Sequence, residues 1–325
     1  MKDRRPKIGL ALGAGGARGL AHIGVLKAFE KYQIPVDIVT GTSMGALIGG
    51  AFASGIDARA MEEIALKADR KLVAKLFFPT ISSSGLVDGE KIRNFLEKNI
   101  GNKNIESFER KYACVATDIL TGEEIVIDRG SVVEAIRASI SIPTIFTPVV
   151  LENRILVDGG IVNPVPVDLA RRMGADIVIA VNVVPLNSSL SGGKKKKSYL
   201  VYDRIKISFP NNLVDKVESF FAFSKNNQLF KKEGEEKLFI PNFFNMTVYT
   251  LNIFERQVIK LRLEKDRPDF LLEPDTTKVT MMEFYKGKEA IQAGEAAALR
   301  LAPKIKNLLG EARDVSKIND LEESS

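Results

Sequence analysis

A short serine motif flanked by glycines constrains this chain more than any other feature. Gly41-Thr-Ser-Met-Gly45 follows an apolar run, 36–40, and precedes a run of small residues, 46–53. This order predicts a strand, a sharp turn and a helix, the context in which a G-x-S-x-G turn exposes its serine oxygen. The helix N-terminus that follows favours negative charge developing beside it. Ser43 is therefore the candidate nucleophile.

The chain has one histidine, His22, which comes before Ser43 and lies inside an apolar helical pattern. A serine, acid and histidine triad in the usual hydrolase order is thus excluded. Helical spacing places His22 near Leu26, so we expect a packed helix residue and not a base on a loop. The base for Ser43 is therefore expected elsewhere in the chain.

Asp158-Gly159-Gly160 supplies a carboxylate. It follows the apolar stretch 154–157, which predicts an aspartate at the end of a strand, beside glycines that allow close backbone approach. Most isolated Asp-Gly pairs are turns, and for this tripeptide alone that alternative stays open. In a chain with Ser43 and no usable histidine, Asp158 is the natural remaining base.

A glycine-rich loop, Gly13 to Gly19, joins the first predicted strand to a predicted helix, where backbone amides can converge on an anion. A dinucleotide-binding loop would need glycine where this chain has Arg18, and an acid after a second strand. A phosphate loop ending in Gly-Lys-Ser/Thr is absent. A tight turn without a ligand remains an alternative. Beside an elbow serine, the pattern favours an oxyanion hole.

Strand and helix patterns alternate through residues 7–184 and predict α/β layers around a central, partly parallel sheet. The segment 185–245 breaks the pattern. It holds four consecutive lysines, Lys194 to Lys197, and eight of the 18 phenylalanines, so we predict an aromatic-rich insertion. Regular patterning resumes in 246–310, where helices complete the domain, and 311–325 is a charged tail. The predicted strands are 7–12, 36–40, 112–118, 123–127, 154–157, 176–182 and 269–272, and the predicted helices are 20–32, 46–53, 58–70, 89–99, 134–139, 167–173 and 281–309.

Net charge and composition narrow the range of partners. The formal charge of +6 favours acidic surfaces, either nucleic acid or anionic lipid. No nucleic-acid motif accompanies the lysine run, so no nucleic-acid partner is expected. The single cysteine, Cys114, lies in an apolar strand pattern typical of a buried structural thiol. With one cysteine and one histidine, no metal site is expected.

Neither a membrane-spanning helix nor an export signal is predicted. No stretch of 18 apolar residues runs without charges or helix breakers. The start of the chain superficially resembles a signal peptide, but its apolar run is rich in glycine and merges with the loop at Gly13.

The three motifs, Gly13 to Gly19, Gly41 to Gly45 and Asp158 to Gly160, resemble in their order and spacing those of the patatin-like phospholipase family. The likeness covers about residues 7–184 and includes Leu20-Ala-His-Ile-Gly-Val-Leu26 and Val162-Asn-Pro-Val-Pro166. The family's glycine motif begins with glycine where this chain has Ala14.

This resemblance implies a three-layer α/β/α patatin-like fold and a serine acyl hydrolase that needs no cofactor. Ser43 would attack an ester carbonyl, Asp158 would accept its proton, and water would then hydrolyse the acyl-enzyme. Arg18 would either brace its loop or attract an anionic head group. The implied oxyanion hole comprises the amides of Gly15, Gly16 and Ala17, and the residues that support the motifs are Gly13, Arg18, Gly19, Gly41, Gly45, Gly159 and Gly160.

The resemblance also implies a phospholipid or lysophospholipid substrate. For the location two alternatives stay open, a cytoplasmic protein or one that is peripheral on the inner membrane face. Two alternatives stay open for 188–244: its phenylalanines form the core of a small helical insertion, or the segment is a cap that docks on anionic membranes. A non-catalytic lipid-binding or scaffold protein on the same fold is the alternative of a different class.

Overall fold

The computed structural model describes residues 5–67, 89–186 and 243–323. Its contacts divide the chain into two compact units, Met1–Ser188 with Asn252–Ser325, and Ser189–Leu251. The first unit carries the predicted site and is described below. The predicted insertion, with Lys194 to Lys197 and most of its phenylalanines, lies outside the described residues, as does the predicted end of the helix 58–70.

Eight strands of the described ranges form one sheet. Its order is β5-β6-β3-β2-β1-β7-β8, and β4 pairs with β3 off this path. The strands are β1 (Ile8–Leu12), β2 (Ile38–Thr42), β3 (Lys111–Asp118), β4 (Glu124–Ile127), β5 (Val149–Leu151), β6 (Arg154–Asp158), β7 (Ile177–Val181) and β8 (Phe270–Leu272).

The centre of the sheet is parallel and one side is antiparallel. β1 runs parallel to β2 and to β7, β2 parallel to β3, and β7 parallel to β8. β6 pairs antiparallel with β3 and β5. Every residue of β1 and β2 is buried, which explains why their sequences are apolar runs and do not alternate. The carboxyl ends of β1 and β2 therefore meet at one edge, where such sheets place their sites.

Helices cover both faces of the sheet. They are α1 (Ala21–Tyr32), α2 (Met44–Ala53), α3 (Ala58–Leu66), α4 (Glu90–Ile100), α5 (Val132–Ser139), α6 (Val167–Arg172), α7 (Phe243–Asp266) and α8 (Gly287–Glu323). Short 3-10 helices follow the glycine loop (Gly16–Leu20) and Asp158 (Gly159–Ile161).

The two helical layers can be assigned from side-chain packing. Gly49 of α2 faces Leu12 and Val39, on one face of the sheet. Ala11 on the other face shares a core cluster with Val167 and Ala170 of α6 and Ile259 of α7. The predicted three-layer α/β/α fold with a partly parallel sheet is confirmed.

Two departures from the sequence prediction concern an edge strand and the limits of a helix. The short edge strand β5 was not predicted. Helix α8 begins at Gly287, later than the predicted 281, and continues to Glu323, beyond the predicted 309. Within the described ranges, no helix is both long and apolar enough to cross a membrane.

Candidate active site

The serine motif forms the predicted strand, turn and helix. β2 ends at Thr42, α2 begins at Met44, and Ser43 between them has φ 54° and ψ −119°. Such a backbone costs about 1–3 kcal/mol for a residue with a side chain, so it persists only when neighbours hold it. Ser139 of α5 is one of these neighbours. Its Oγ accepts a hydrogen bond from the Ser43 amide at 2.9 Å and donates one to the Val115 carbonyl at 2.6 Å.

Gly45 is required because the turn packs closely on β1. A side-chain carbon at Gly45 would collide with the Leu12 carbonyl. Real Cβ atoms do not tolerate such an approach, so the first turn of α2 can lie against the end of β1 only with glycine there. This packing brings Ser43 beside the loop that begins at Gly13.

Ser43 and Asp158 are in direct contact. Ser43 Oγ donates to Asp158 Oδ2 at 2.6 Å, and the Gly160 amide donates to Asp158 Oδ1 at 2.8 Å. Both side chains are buried, with 5% and 6% of their surface exposed. Burial raises the pKa of Asp158 to about 6, while the Ser43 hydroxyl and the Gly160 amide act in the opposite direction. A carboxylate with this pKa is a suitable base near neutral pH.

The glycine loop turns sharply, with positive φ at Gly15 (153°) and Gly16 (57°). Neither of their amides is hydrogen-bonded to another described residue. The Ala17 amide, in contrast, donates to the Met281 carbonyl at 2.8 Å. The Ala17 amide, which the sequence places in the expected oxyanion hole, is thus already used by the loop before α8. Gly15 and Gly16 remain candidates.

His22 is a fully buried residue of α1, as its helical spacing predicts. Its Nε2 donates to the Gly13 carbonyl at 2.7 Å, and its Nδ1 has no partner among the described residues. Burial lowers the pKa of His22 to about 4, so the ring is neutral at physiological pH. His22 supports the glycine loop and does not reach Ser43 through any described hydrogen bond.

Arg18 braces its loop, which was one of the two alternatives left open. Its side chain is 8% exposed, its Nε donates to the Val279 carbonyl at 2.9 Å, and a terminal nitrogen donates to Asn252 Oδ1 at 3.3 Å. Burial lowers the pKa of the guanidinium. Arg18 thus ties the glycine loop to α7 and to the segment that precedes α8.

A second carboxyl group at the site was missed by the sequence prediction. Glu255 of α7 is partly buried, and its Oε1 would lie 3.6 Å from a side-chain carbon built on Gly160. Burial raises its pKa to about 7, and the nearby Asp158 carboxylate raises it further. Glu255 belongs to no motif. The available signal was helical spacing, since Asn252, Glu255, Ile259 and Arg262 share one face of α7.

Within the described ranges, no group of three or more histidine, cysteine, aspartate or glutamate side chains could hold a metal ion. Cys114 is buried, and its thiol donates to the Ala135 carbonyl at 3.4 Å. It packs against α5, as a structural thiol does.

Comparison with known proteins identifies the family. The model for patatin-like phospholipase matches residues 10–171. An uncharacterized NTE family protein of Mycobacterium bovis is 39% identical over 336 residues, which cover 90% of this chain and 90% of that protein. This chain belongs to the patatin-like phospholipase family, and it is a lipid ester hydrolase, as the sequence predicted.

Other relatives match over about half of this chain and a small part of their own length. Lysophospholipase nte1 of Aspergillus fumigatus is 37% identical over 182 residues, 54% of this chain and 12% of that protein. A patatin-like phospholipase domain-containing protein of Caenorhabditis elegans is 40% identical over 181 residues, 54% of this chain and 13% of its own length. The crystal structure of VipD from Legionella pneumophila aligns with a TM-score of 0.45 at 13% identity, covering 92% of this chain and 67% of VipD. That likeness is too weak to bear on fold or function.

Proposed function

We propose that this protein is a serine acyl hydrolase that cleaves lipid carboxylic esters through a Ser43/Asp158 dyad. The observation that carries the proposal is the hydrogen bond of 2.6 Å from Ser43 Oγ to Asp158 Oδ2. It joins a nucleophile at the head of α2 directly to a carboxylate whose pKa is raised towards neutrality. A nucleophile and a base within hydrogen-bond reach are the minimum for acyl transfer.

In the first half of the reaction, Ser43 Oγ attacks the ester carbonyl carbon while its proton passes to Asp158 Oδ2. The carbonyl oxygen becomes an oxyanion, which the amides of Gly15 and Gly16 stabilise together with the N-terminus of α2. The tetrahedral intermediate then collapses. The bond to the alcohol oxygen breaks, and Asp158 returns the proton to that oxygen as the alcohol leaves.

In the second half, water replaces the alcohol. Asp158 accepts a proton from the water molecule as its oxygen attacks the acyl carbon, and the same two amides hold the second oxyanion. When this intermediate collapses, the bond to Ser43 Oγ breaks and the proton returns to the serine. The products are a fatty acid and the regenerated enzyme, with no cofactor consumed.

The substrate proposal rests on the relatives. The fungal relatives are named lysophospholipases, so we propose that this enzyme acts on lysophospholipids or phospholipids. A lipidomic comparison tests this proposal. Vesicle extracts incubated with the active protein should lose one lipid class and gain its deacylated product, whereas the Ser43→Ala protein should change neither. Turnover confined to neutral esters would contradict the proposal.

The dyad is tested by covalent labelling. Ser43→Ala should abolish reaction with a fluorophosphonate probe and hydrolysis of p-nitrophenyl esters, because no other group replaces the attacking oxygen. Ser107→Ala is the matched control, since Ser107 is an exposed serine whose hydroxyl donates only to the Asn104 carbonyl. Full labelling of Ser43→Ala would reject the nucleophile. Absence of labelling and turnover in the wild type would favour the non-catalytic lipid-binding alternative.

A further inference from the structure

One face of α7 contacts both loops of the site. Asn252 accepts a hydrogen bond from Arg18 of the glycine loop, and Ile259 is fully buried in the core. The Arg262 guanidinium donates from Nε and from a terminal nitrogen to the Val162 carbonyl, at 3.2 and 3.1 Å, just after the Asp-Gly-Gly turn. Glu255 lies on the same face between these anchors.

The position of Glu255 relative to Asp158 follows from Gly160. A side-chain carbon at Gly160 would lie 3.1 Å from Asp158 Oδ1 and 3.6 Å from Glu255 Oε1, so the two carboxyl groups border the same small space. Ser43 binds the other oxygen of Asp158, Oδ2. Among the described hydrogen bonds none joins Glu255 to Ser43, so Glu255 can influence Asp158 without bonding to the reacting hydroxyl.

We propose that Glu255 is a positioning residue of this enzyme, one that acts through Asp158 and makes it a stronger base when the Glu255 carboxyl is ionised. The proposal rests on the proposed role of Asp158 as the base for Ser43.

The physical reason is the movement of charge during the reaction. When Asp158 takes the serine proton, its negative charge disappears and an equivalent charge appears on the substrate oxyanion. An ionised Glu255 repels the charge on Asp158, so this transfer relieves the repulsion and lowers the barrier. The effect requires Glu255 to lie nearer to Asp158 than to the oxyanion, which its place beside Gly160 and Asp158 Oδ1 supports.

Other charged groups around Glu255 also shift its pKa. Arg18 of the glycine loop and Arg256, its neighbour on α7, both lower the pKa of Glu255. Burial and the Asp158 carboxylate act in the opposite direction. Glu283, from the segment before α8, in turn raises the pKa of the Arg18 guanidinium. The balance leaves the pKa of Glu255 at about 7 and that of Asp158 at about 6. The pair therefore loses its protons in two coupled steps.

The expected pH profile has two rises. In the wild type, kcat/KM increases through about pH 6 as Asp158 ionises and again through about pH 7 as Glu255 ionises. If the charge on Glu255 raises the pKa of Asp158 by about one unit, a Brønsted coefficient of about one half makes the second rise in kcat/KM about threefold. Glu255→Gln keeps the shape of the side chain without the charge. It should equal the wild type at low pH and fall about threefold below it at pH values of about 8.

The experiment compares kcat/KM on a soluble p-nitrophenyl ester from pH 5 to pH 9 for the full-length protein, Glu255→Gln, Glu255→Asp and Glu264→Gln. Glu264 is an exposed acid on the same helix and is the matched control, so its variant should keep both rises. Glu255→Asp should retain a second rise. Loss of activity by the same factor at every pH in Glu255→Gln would mean a structural role and overturn the proposal. A second rise that survives in Glu255→Gln would overturn it too.

Thermal melting provides a readout that does not depend on catalysis. The folded-state pKa of Glu255 lies above its ordinary value, so the folded state holds the proton more tightly and loses stability as pH rises towards 7. Glu255→Gln should therefore gain melting temperature relative to the wild type over that range. A constant difference would contradict the proposed ionisation. Activity retained by Asp158→Asn would instead reject the proposed dyad, whatever Glu255 does.

Discussion

At the scale of single residues, the chemistry depends on a carboxylate that is buried and yet must be ionised. Among the described residues no guanidinium or ammonium group forms an ion pair with Asp158, and its charge is held by one hydroxyl and one amide. Asp158→Asn keeps the shape and removes proton acceptance. We expect a loss of roughly 10³-fold or more in kcat, as when a catalytic unit loses a member, measured by ester hydrolysis with fold checked by circular dichroism. Wild-type activity should also fall below about pH 6.

His22 provides the contrasting variant. His22→Gln leaves a side chain that can still donate to the Gly13 carbonyl, so we expect less than about a tenfold loss of activity. The same ester assay, run beside Asp158→Asn, ranks the two residues. If His22→Gln were the more damaging change, the assignment of the base would be wrong.

The sequence predicted Ser43 and Asp158 because each lies at a strand end inside a glycine motif, where local chain geometry determines the position of the side chain. It could not predict the use of the Ala17 amide, since the acceptor, Met281, is distant in the chain and belongs to an irregular segment. Glu255 was missed for a related reason. Its pairing with Asp158 depends on how α7 packs, and helical spacing alone does not say which loop a helix face will meet.

At the scale of elements, α1 and α8 pack closely against each other at a glycine of α8. A side-chain carbon at Gly294 of α8 would collide with the Ala21 carbonyl at the start of α1. Helix propensity alone would favour Gly294→Ala by up to about 1 kcal/mol. Because the helices cannot separate without disturbing the core, we expect Gly294→Ala to lower the free energy of unfolding by about 1–3 kcal/mol in urea denaturation.

Gly287→Ala is the matched control on the same helix. There the nearest atom is the flexible end of Leu20, 3.2 Å away, so the variant should be neutral or slightly stabilised. Equal effects of the two substitutions would refute the role of the close contact.

Most elements were predictable because their apolar runs are long and their turns contain glycine or proline. The exceptions were β5, which has three residues at the edge of the sheet, and the limits of α8. A strand this short has too few residues to show a period of two, and it exists because β6 is beside it. The long helix contains Pro303, yet the helix continues through it, which local propensity does not predict.

At the scale of the whole molecule, the net charge and the segment 188–244 lead to a proposal about membranes. This segment lies almost entirely outside the described residues, and its sequence combines a run of lysines with clustered phenylalanines. Basic residues near an anionic bilayer contribute about 1 kcal/mol each. We expect the protein to float with vesicles that contain anionic lipid, less so in high salt, and Gln at Lys194 to Lys197 should weaken flotation.

The control for flotation removes the same amount of charge elsewhere, by changing four exposed lysines of the described ranges to Gln: Lys31, Lys98, Lys288 and Lys304. If both quadruple variants lose binding equally, the net charge of the molecule is responsible and not the segment. Equal flotation with neutral vesicles, or none at all, would reject electrostatic docking and leave the phenylalanines as the core of an insertion.

The solitary histidine has a consequence for inhibitor chemistry. Chloromethyl ketones and diethyl pyrocarbonate inactivate many serine hydrolases by modifying an imidazole beside the nucleophile. In this molecule the ring is fully buried, and its Nε2 is committed to a backbone carbonyl. In a proteome treated with such reagents, this enzyme should therefore stay active while serine hydrolases with a catalytic histidine are inactivated. That resistance offers a way to observe its activity in a crude extract.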